Sequence, residues 1–180
     1  MLKKVRTSLV ATAFVLAAAP AVSFAVDGVS FEVGTGNSTQ IARVGAQWRW
    51  DQQWFKSNGT HLGGYWDLSL SQWRGNRYQD RDATQNITVI GITPVFRFQN
   101  DSLKGFYVEG GVGANLMSEL YNNGGNQMST SFEFGDHIGL GYVFQNKLDI
   151  GLRLQHYSNG GIKHPNDGVN FAVLRAAYQF

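Results

Sequence analysis

The chain contains no cysteine and only three prolines among its 180 residues. Without cysteine there can be no disulfide staple and no thiolate metal site, so hydrogen bonding and packing alone must hold the fold. Beyond the N-terminus no stretch is apolar and long enough for a membrane helix, and no internal segment sustains a helical stripe. Charge of one sign is lacking as well. Residues 1–25 hold three of the fifteen bases and none of the thirteen acids, so the formal charge of +2 becomes −1 for the remainder. No Lys/Arg cluster is left that could track a phosphate backbone, which excludes nucleic acid as a partner. Asp51, Asp80 and Asp82 lack calcium-loop spacing, and neither a metal nor any other cofactor is expected.

What is present begins with an export signal. Lys3, Lys4 and Arg6 precede an apolar run from Leu9 to Ala19, and Ser23 and Ala25 supply the small residues that a signal peptidase requires. The run is short and alanine-rich for a membrane anchor. The expected division is therefore a signal peptide over 1–25 and one domain over 26–180.

Past that point, alternation of period two recurs between turn-like breaks. It predicts about eight strands: Val29–Asn37, Gln40–Asp51, His61–Arg74, Gln85–Phe98, Lys104–Ser118, Thr130–Gln145, Leu148–Ser158 and Val169–Phe180. Ile90, Ile92, Pro94, Phe96 and Phe98 share one face. So do Phe132, Phe134, Ile138, Leu140, Tyr142 and Phe144, interrupted by Asp136. The opposite faces carry charged residues among glycines such as Gly111, Gly113, Gly139 and Gly141.

A soluble sandwich or a lipocalin-like barrel would fit this pattern too. Strand length, even number and an aromatic-rich last strand ending Tyr178, Gln179, Phe180 favour an all-β, eight-stranded antiparallel transmembrane β-barrel. That terminal aromatic resembles the assembly signal of bacterial outer-membrane barrels. A spanning sheet must close on itself, since free backbone groups find no water in lipid. The narrow lumen should then be plugged by a polar network of Arg43, Arg49, Glu109, Glu133, Arg153 and Arg175. By parity, the connections over 75–84, 119–129 and 159–168 face outside, and those over 99–103 and 145–147 are periplasmic turns. Trp48, Trp50, Trp54, Trp66, Trp73 and Tyr121 read as interface anchors.

Chemistry concentrates at the end of the seventh strand. Leu152, Leu154, His156 and Ser158 share the lipid face, while Arg153, Gln155 and Tyr157 share the other. A histidine and a serine facing lipid are costly unless they have partners or a task. Their i, i+2 spacing suits a hydroxyl nucleophile with its base. Alone the pair is weak, because many strands hold His-x-Ser by chance. A symmetric register in the last hairpin pairs His156 with Asn170, which could orient the ring and complete a triad of Ser158, His156 and Asn170.

The segment from His156 through Ser158, Asn159, Gly160, Gly161, Lys163, His164, Pro165, Asn166 and Asp167 to Gly168 resembles the signature of the lipid A 3-O-deacylases, the PagL-type family. The resemblance implies an outer-membrane barrel with its site facing the outer leaflet, which hydrolyses the ester at the 3 position of lipid A. It implies His156 as base, Ser158 as nucleophile, Asn166 and Gly161 as oxyanion donors, and Asn159 as a residue supporting the site. Lys163 and His164 share the loop and would contact substrate phosphate. One departure stands out: the family's third member is a glutamate two residues past the last glycine, where this chain has Asn170. Asparagine can orient an imidazole but brings no charge. Asp167 sits in the loop and is a poor substitute. The expected partners are lipid A (lipopolysaccharide) and outer-membrane lipids, and the sequence leaves a homodimer open. A catalytically inactive structural or adhesion barrel, and a phospholipid-directed outer-membrane lipase, are the competing readings.

Overall fold

A computed structural model describes residues 25–180; apart from Ala25, the expected signal peptide lies outside the described residues. The strands are β1 (Gly28–Gly36), β2 (Thr39–Arg49), β3 (Trp54–Ser57), β4 (Thr60–Gly75), β5 (Gln85–Asn100), β6 (Gly105–Met117), β7 (Asn122–Asn123), β8 (Asn126–Gln127), β9 (Phe132–Val143), β10 (Leu148–Ser158) and β11 (Val169–Gln179). Eight of them close a barrel. β1 pairs with β2, β2 with β4, and so on through β5, β6, β9, β10 and β11, which pairs back with β1, every pair antiparallel. Closure leaves the spanning strands no unpaired edge in hydrocarbon.

The three remaining strands lie outside this cycle. β3 folds back on β4 through Asn58 and Gly59, both at positive φ, the backbone of a two-residue Asn-Gly hairpin turn. It extends the β2–β4 connection beyond the length expected of a periplasmic turn. β7 and β8 form a two-residue ladder inside the β6–β9 loop.

The alternation follows the expected parity. Phe31, Val44, Leu70, Ile90, Ile92, Val112, Ile138, Leu140, Leu152 and Leu154 are exposed on the outer wall. The lumen is filled, but in two layers rather than one polar plug. In the first, Arg43, Arg97, Arg153 and Arg175 meet Glu32, Asp67, Glu109 and Asp149 in ion pairs, most of them 2.6–3.0 Å. Four cations thus face four anions, so the buried network carries no excess charge. Arg153 lies across Gly139, where a Cβ would fall 2.8 Å from its Cγ. Two expected members are absent from these pairs. Arg49 is exposed at the end of β2, and Glu133, though buried, accepts a hydrogen bond from Thr130 instead of a cation.

The second layer lies toward the end of the barrel with the longer loops, and it is apolar. Trp73 stacks edge-on against Tyr157 (4.7 Å), Phe171 (5.0 Å) and Tyr121 (6.1 Å), with Ile87, Val89, Met117, Met128 and Val169 around them. Trp73 and Tyr121 are therefore inside, not at the membrane interface. Trp73 shares the inward parity of Asp67, Ser69 and Ser71, and the long-loop end of the lumen gains an apolar layer from it. Trp50, Trp54, Trp66 and Phe96 do form an aromatic group outside the lumen at the opposite end, and Trp48 pairs with Trp66 across β2 and β4.

Candidate active site

The apolar layer sets the phase of the site. Tyr157 on β10 and Val169 and Phe171 on β11 point inward and are buried, so His156, Ser158 and Asn170 must point outward. A one-residue slip would bury the imidazole and expose Tyr157. The last hairpin is symmetric as expected: His156 is the Cα partner of Asn170, and His156 Nδ1 lies 2.7 Å from Asn170 Oδ1. With the amide oxygen accepting, Nδ1 carries the proton and Nε2 keeps its lone pair, the tautomer that a general base requires.

Ser158 shares that wall and is half-buried. Among the described residues no hydrogen bond joins its hydroxyl to His156, whose Nδ1 is bonded to Asn170. Such contacts are commonly loose without substrate and tighten around it. Gly168 has φ +67, and a Cβ there would fall 2.7 Å from His156 Cε1 and 3.2 Å from Nε2. The missing side chain leaves room for the ring.

The β10–β11 loop is shaped by its own polar groups. Asn159 O accepts from Ile162 N–H at 3.2 Å across Gly160 and Gly161, whose φ values of +65 and +83 are those of a turn that few residues other than glycine accept. Asn159 is fully buried. Its Nδ2 donates to Lys163 O (2.8 Å) and its Oδ1 accepts from Gly161 N–H (2.9 Å). The Gly161 amide, expected to face an oxyanion, is thus engaged inside the loop. Asn166 differs: its Oδ1 accepts the Asn159 N–H at 2.9 Å, which fixes the amide and leaves Nδ2 as a donor. Lys163 and His164 are exposed.

A neighbouring loop grips this one. Gln127 N–H donates to Asp167 Oδ2 (2.8 Å), Asp167 N–H to Gln127 O (3.0 Å) and Asn126 Nδ2 to Gly168 O (2.7 Å); Met128 and Asn166 form a β-bridge. The Asp167 carboxylate thus accepts between the two loops. Sequence reasoning missed Asn126 and Gln127, which sit in a loop without periodicity, and missed the proximity of Asp136. The latter was available from the short turn at 145–147, which sets the β9–β10 register and makes His156 the Cα partner of Asp136.

The lipid A 3-O-deacylase (PagL) family profile matches residues 40–179, essentially from β2 to the end of β11. The chain is 37% identical over 142 residues to lipid A deacylase PagL of Pseudomonas aeruginosa, covering 78% of this chain and 79% of that protein. It is 34% identical over 157 residues to lipid A deacylase PagL of Bordetella bronchiseptica, covering 85% and 83%. The crystal structure of the outer membrane enzyme PagL superposes with a TM-score of 0.73 at 29% identity, covering 85% of this chain and 99% of that one. With agreement of this extent in both sequence and fold, the chain belongs to the lipid A 3-O-deacylase (PagL) family.

Proposed function

We propose that this outer-membrane barrel is a serine esterase that removes the acyl chain ester-linked at the 3 position of lipid A. The observation that carries the reading is the 2.7 Å bond from His156 to Asn170 on the lipid-facing wall, with Ser158 two residues further along the same face. His156 Nε2 takes the proton of Ser158, and Ser158 Oγ bonds to the ester carbonyl carbon. Asn166 Nδ2 meets the charge developing on the carbonyl oxygen. Gly161 N–H can join it only by exchanging its bond to Asn159. The carbon–oxygen bond to the sugar then breaks, and His156 returns the proton to the departing 3-hydroxyl. Water attacks the acyl-serine, giving its proton to His156; Ser158 is restored and the fatty acid leaves. No step calls for a metal or other cofactor. Lys163 and His164, in the loop beside the site, suit contact with the phosphates of lipid A. A site on the wall rather than in the lumen lets the acyl chain stay in the outer leaflet.

Mass spectrometry of lipid A from cells expressing the chain tests this. One ester-linked 3-hydroxyacyl group should be lost, and Ser158→Ala or His156→Ala should each abolish the loss with the barrel still folded. Unaltered lipid A beside a folded barrel would overturn the reading in favour of an inactive barrel, and acyl loss confined to phospholipid would make it a phospholipase.

A further inference from the structure

The outer wall of β9 presents Phe134, Ile138 and Leu140, all exposed and apolar, with Asp136 between them. A carboxylate on a wall clad in hydrocarbon is expensive and marks a task. Asp136 is the Cα partner of His156 on β10, which in turn is the Cα partner of Asn170 on β11. The three side chains therefore stand in one row across three strands, on one face, with the imidazole in the middle. Neighbours in such a row have Cβ atoms about 5 Å apart, within reach of a carboxylate and a ring. Among the described residues the Asp136 carboxylate enters no hydrogen bond or ion pair.

Among the described residues no other carboxylate shares this row of the wall. Asn170, facing it from β11, is neutral. In the loop that follows β10, Lys163 and His164 are not acids, and the Asp167 carboxylate is turned to the neighbouring loop, where it accepts from the Gln127 N–H at 2.8 Å. Once His156 has taken the serine proton, the ring is a cation in a wall of low polarity, where an unbalanced charge is costly.

We propose that Asp136 is the anionic partner of His156, dividing between two strands the work that a single carboxylate at position 170 would do: Asn170 orients the ring, and Asp136 balances the charge that the ring acquires. This rests on the reading of His156 as general base. Asp136 acts through His156 and is a positioning residue, not one that touches the ester.

A double-mutant cycle tests it, on the full barrel in detergent micelles with lipid A as substrate and release of 3-hydroxyacyl chains as readout. Asp136→Asn should lower kcat about ten-fold, ~1.4 kcal/mol of barrier, with KM little changed. Asp136→Glu, which keeps the charge, should lose less. Asn170→Glu should raise kcat about ten-fold more in the Asp136→Asn protein than in the parent, because only there is the charge missing. A kcat for Asp136→Asn within two-fold of the parent overturns the proposal. So does an equal effect of Asn170→Glu in both backgrounds, which would leave Asp136 a merely structural role. If Asp136→Asn fails to assemble, as judged by heat-modifiable gel migration, Asp136→Ser, also neutral and shorter, runs the same cycle. Ser158→Ala separates the two claims. Full activity in that variant sinks the serine reading, whereas an inert Ser158→Ala beside an additive cycle sinks only the role of Asp136.

Discussion

Replacing Gly168 by alanine adds one methyl group at a point where the structure leaves almost no room. The new Cβ would sit 2.7 Å from His156 Cε1 and 3.2 Å from Nε2, against an optimal carbon–carbon separation of about 3.5–4.0 Å. The ring, already tied to Asn170 at 2.7 Å, must move by roughly 1 Å to relieve the contact. A displacement of that size at a reacting group costs about 10²-fold in rate. The backbone adds a separate penalty, because φ is +67 and a non-glycine residue there loses about 1–2 kcal/mol of stability. Gly59 separates the two effects. It has φ +76 with nothing within 4 Å of its added Cβ, and it lies at the other end of the barrel. Gly59→Ala should therefore lower the urea midpoint in micelles by a similar amount and leave deacylation unchanged, while Gly168→Ala loses about 10²-fold in activity. If Gly168→Ala keeps activity within about three-fold of the parent, the imidazole does not work from the position seen here, and the assignment of its Nε2 as base fails with it.

Asn166→Ala removes the free Nδ2 donor and should lower kcat by about 10²–10³-fold with the barrel still folded, as measured by acyl release beside gel migration. Arg153→Met leaves Glu32 and Glu109 short of a cation that now sits 2.6–2.8 Å away, and should cost ~3–5 kcal/mol in urea unfolding. Asn123→Ala should loosen the long-loop end. Its side chain accepts the Arg77 N–H at 2.7 Å and donates to Asn37 O and Thr39 Oγ at 2.9 and 3.0 Å, so its loss leaves buried groups unpaired at ~1–3 kcal/mol. Faster protease cleavage in the loop at 76–84 would report it, with the transmembrane core still protected.

The eight barrel strands were legible because each carries two environments in strict alternation, and lipid outside enforces that alternation more sharply than water would. The short strands were not. β7 and β8 have two residues each, too few for a period, although Asn58-Gly59 did carry the signal for the β3–β4 turn. Trp73 shows a different limit. Its aromatic character pointed to the interface, whereas its parity with Ser71 and Asp67 pointed inward, and the structure follows parity. At the site, the His156–Asn170 pairing could be read from the symmetry of the final hairpin, since antiparallel register is arithmetic. The engagement of the Gly161 amide could not, because it depends on the side-chain rotamer of Asn159.

Among the described residues, balanced ion pairs fill the lumen in one layer and rings fill it in the other. On the proposed mechanism, the working surface is part of the outer wall. Its encounters with substrate are then two-dimensional, governed by lateral diffusion and by the areal density of lipid in one leaflet. Bulk concentration is the wrong variable for such an enzyme; diluting the substrate lipid within the same membrane area should slow it, whereas diluting the cells or vesicles should not.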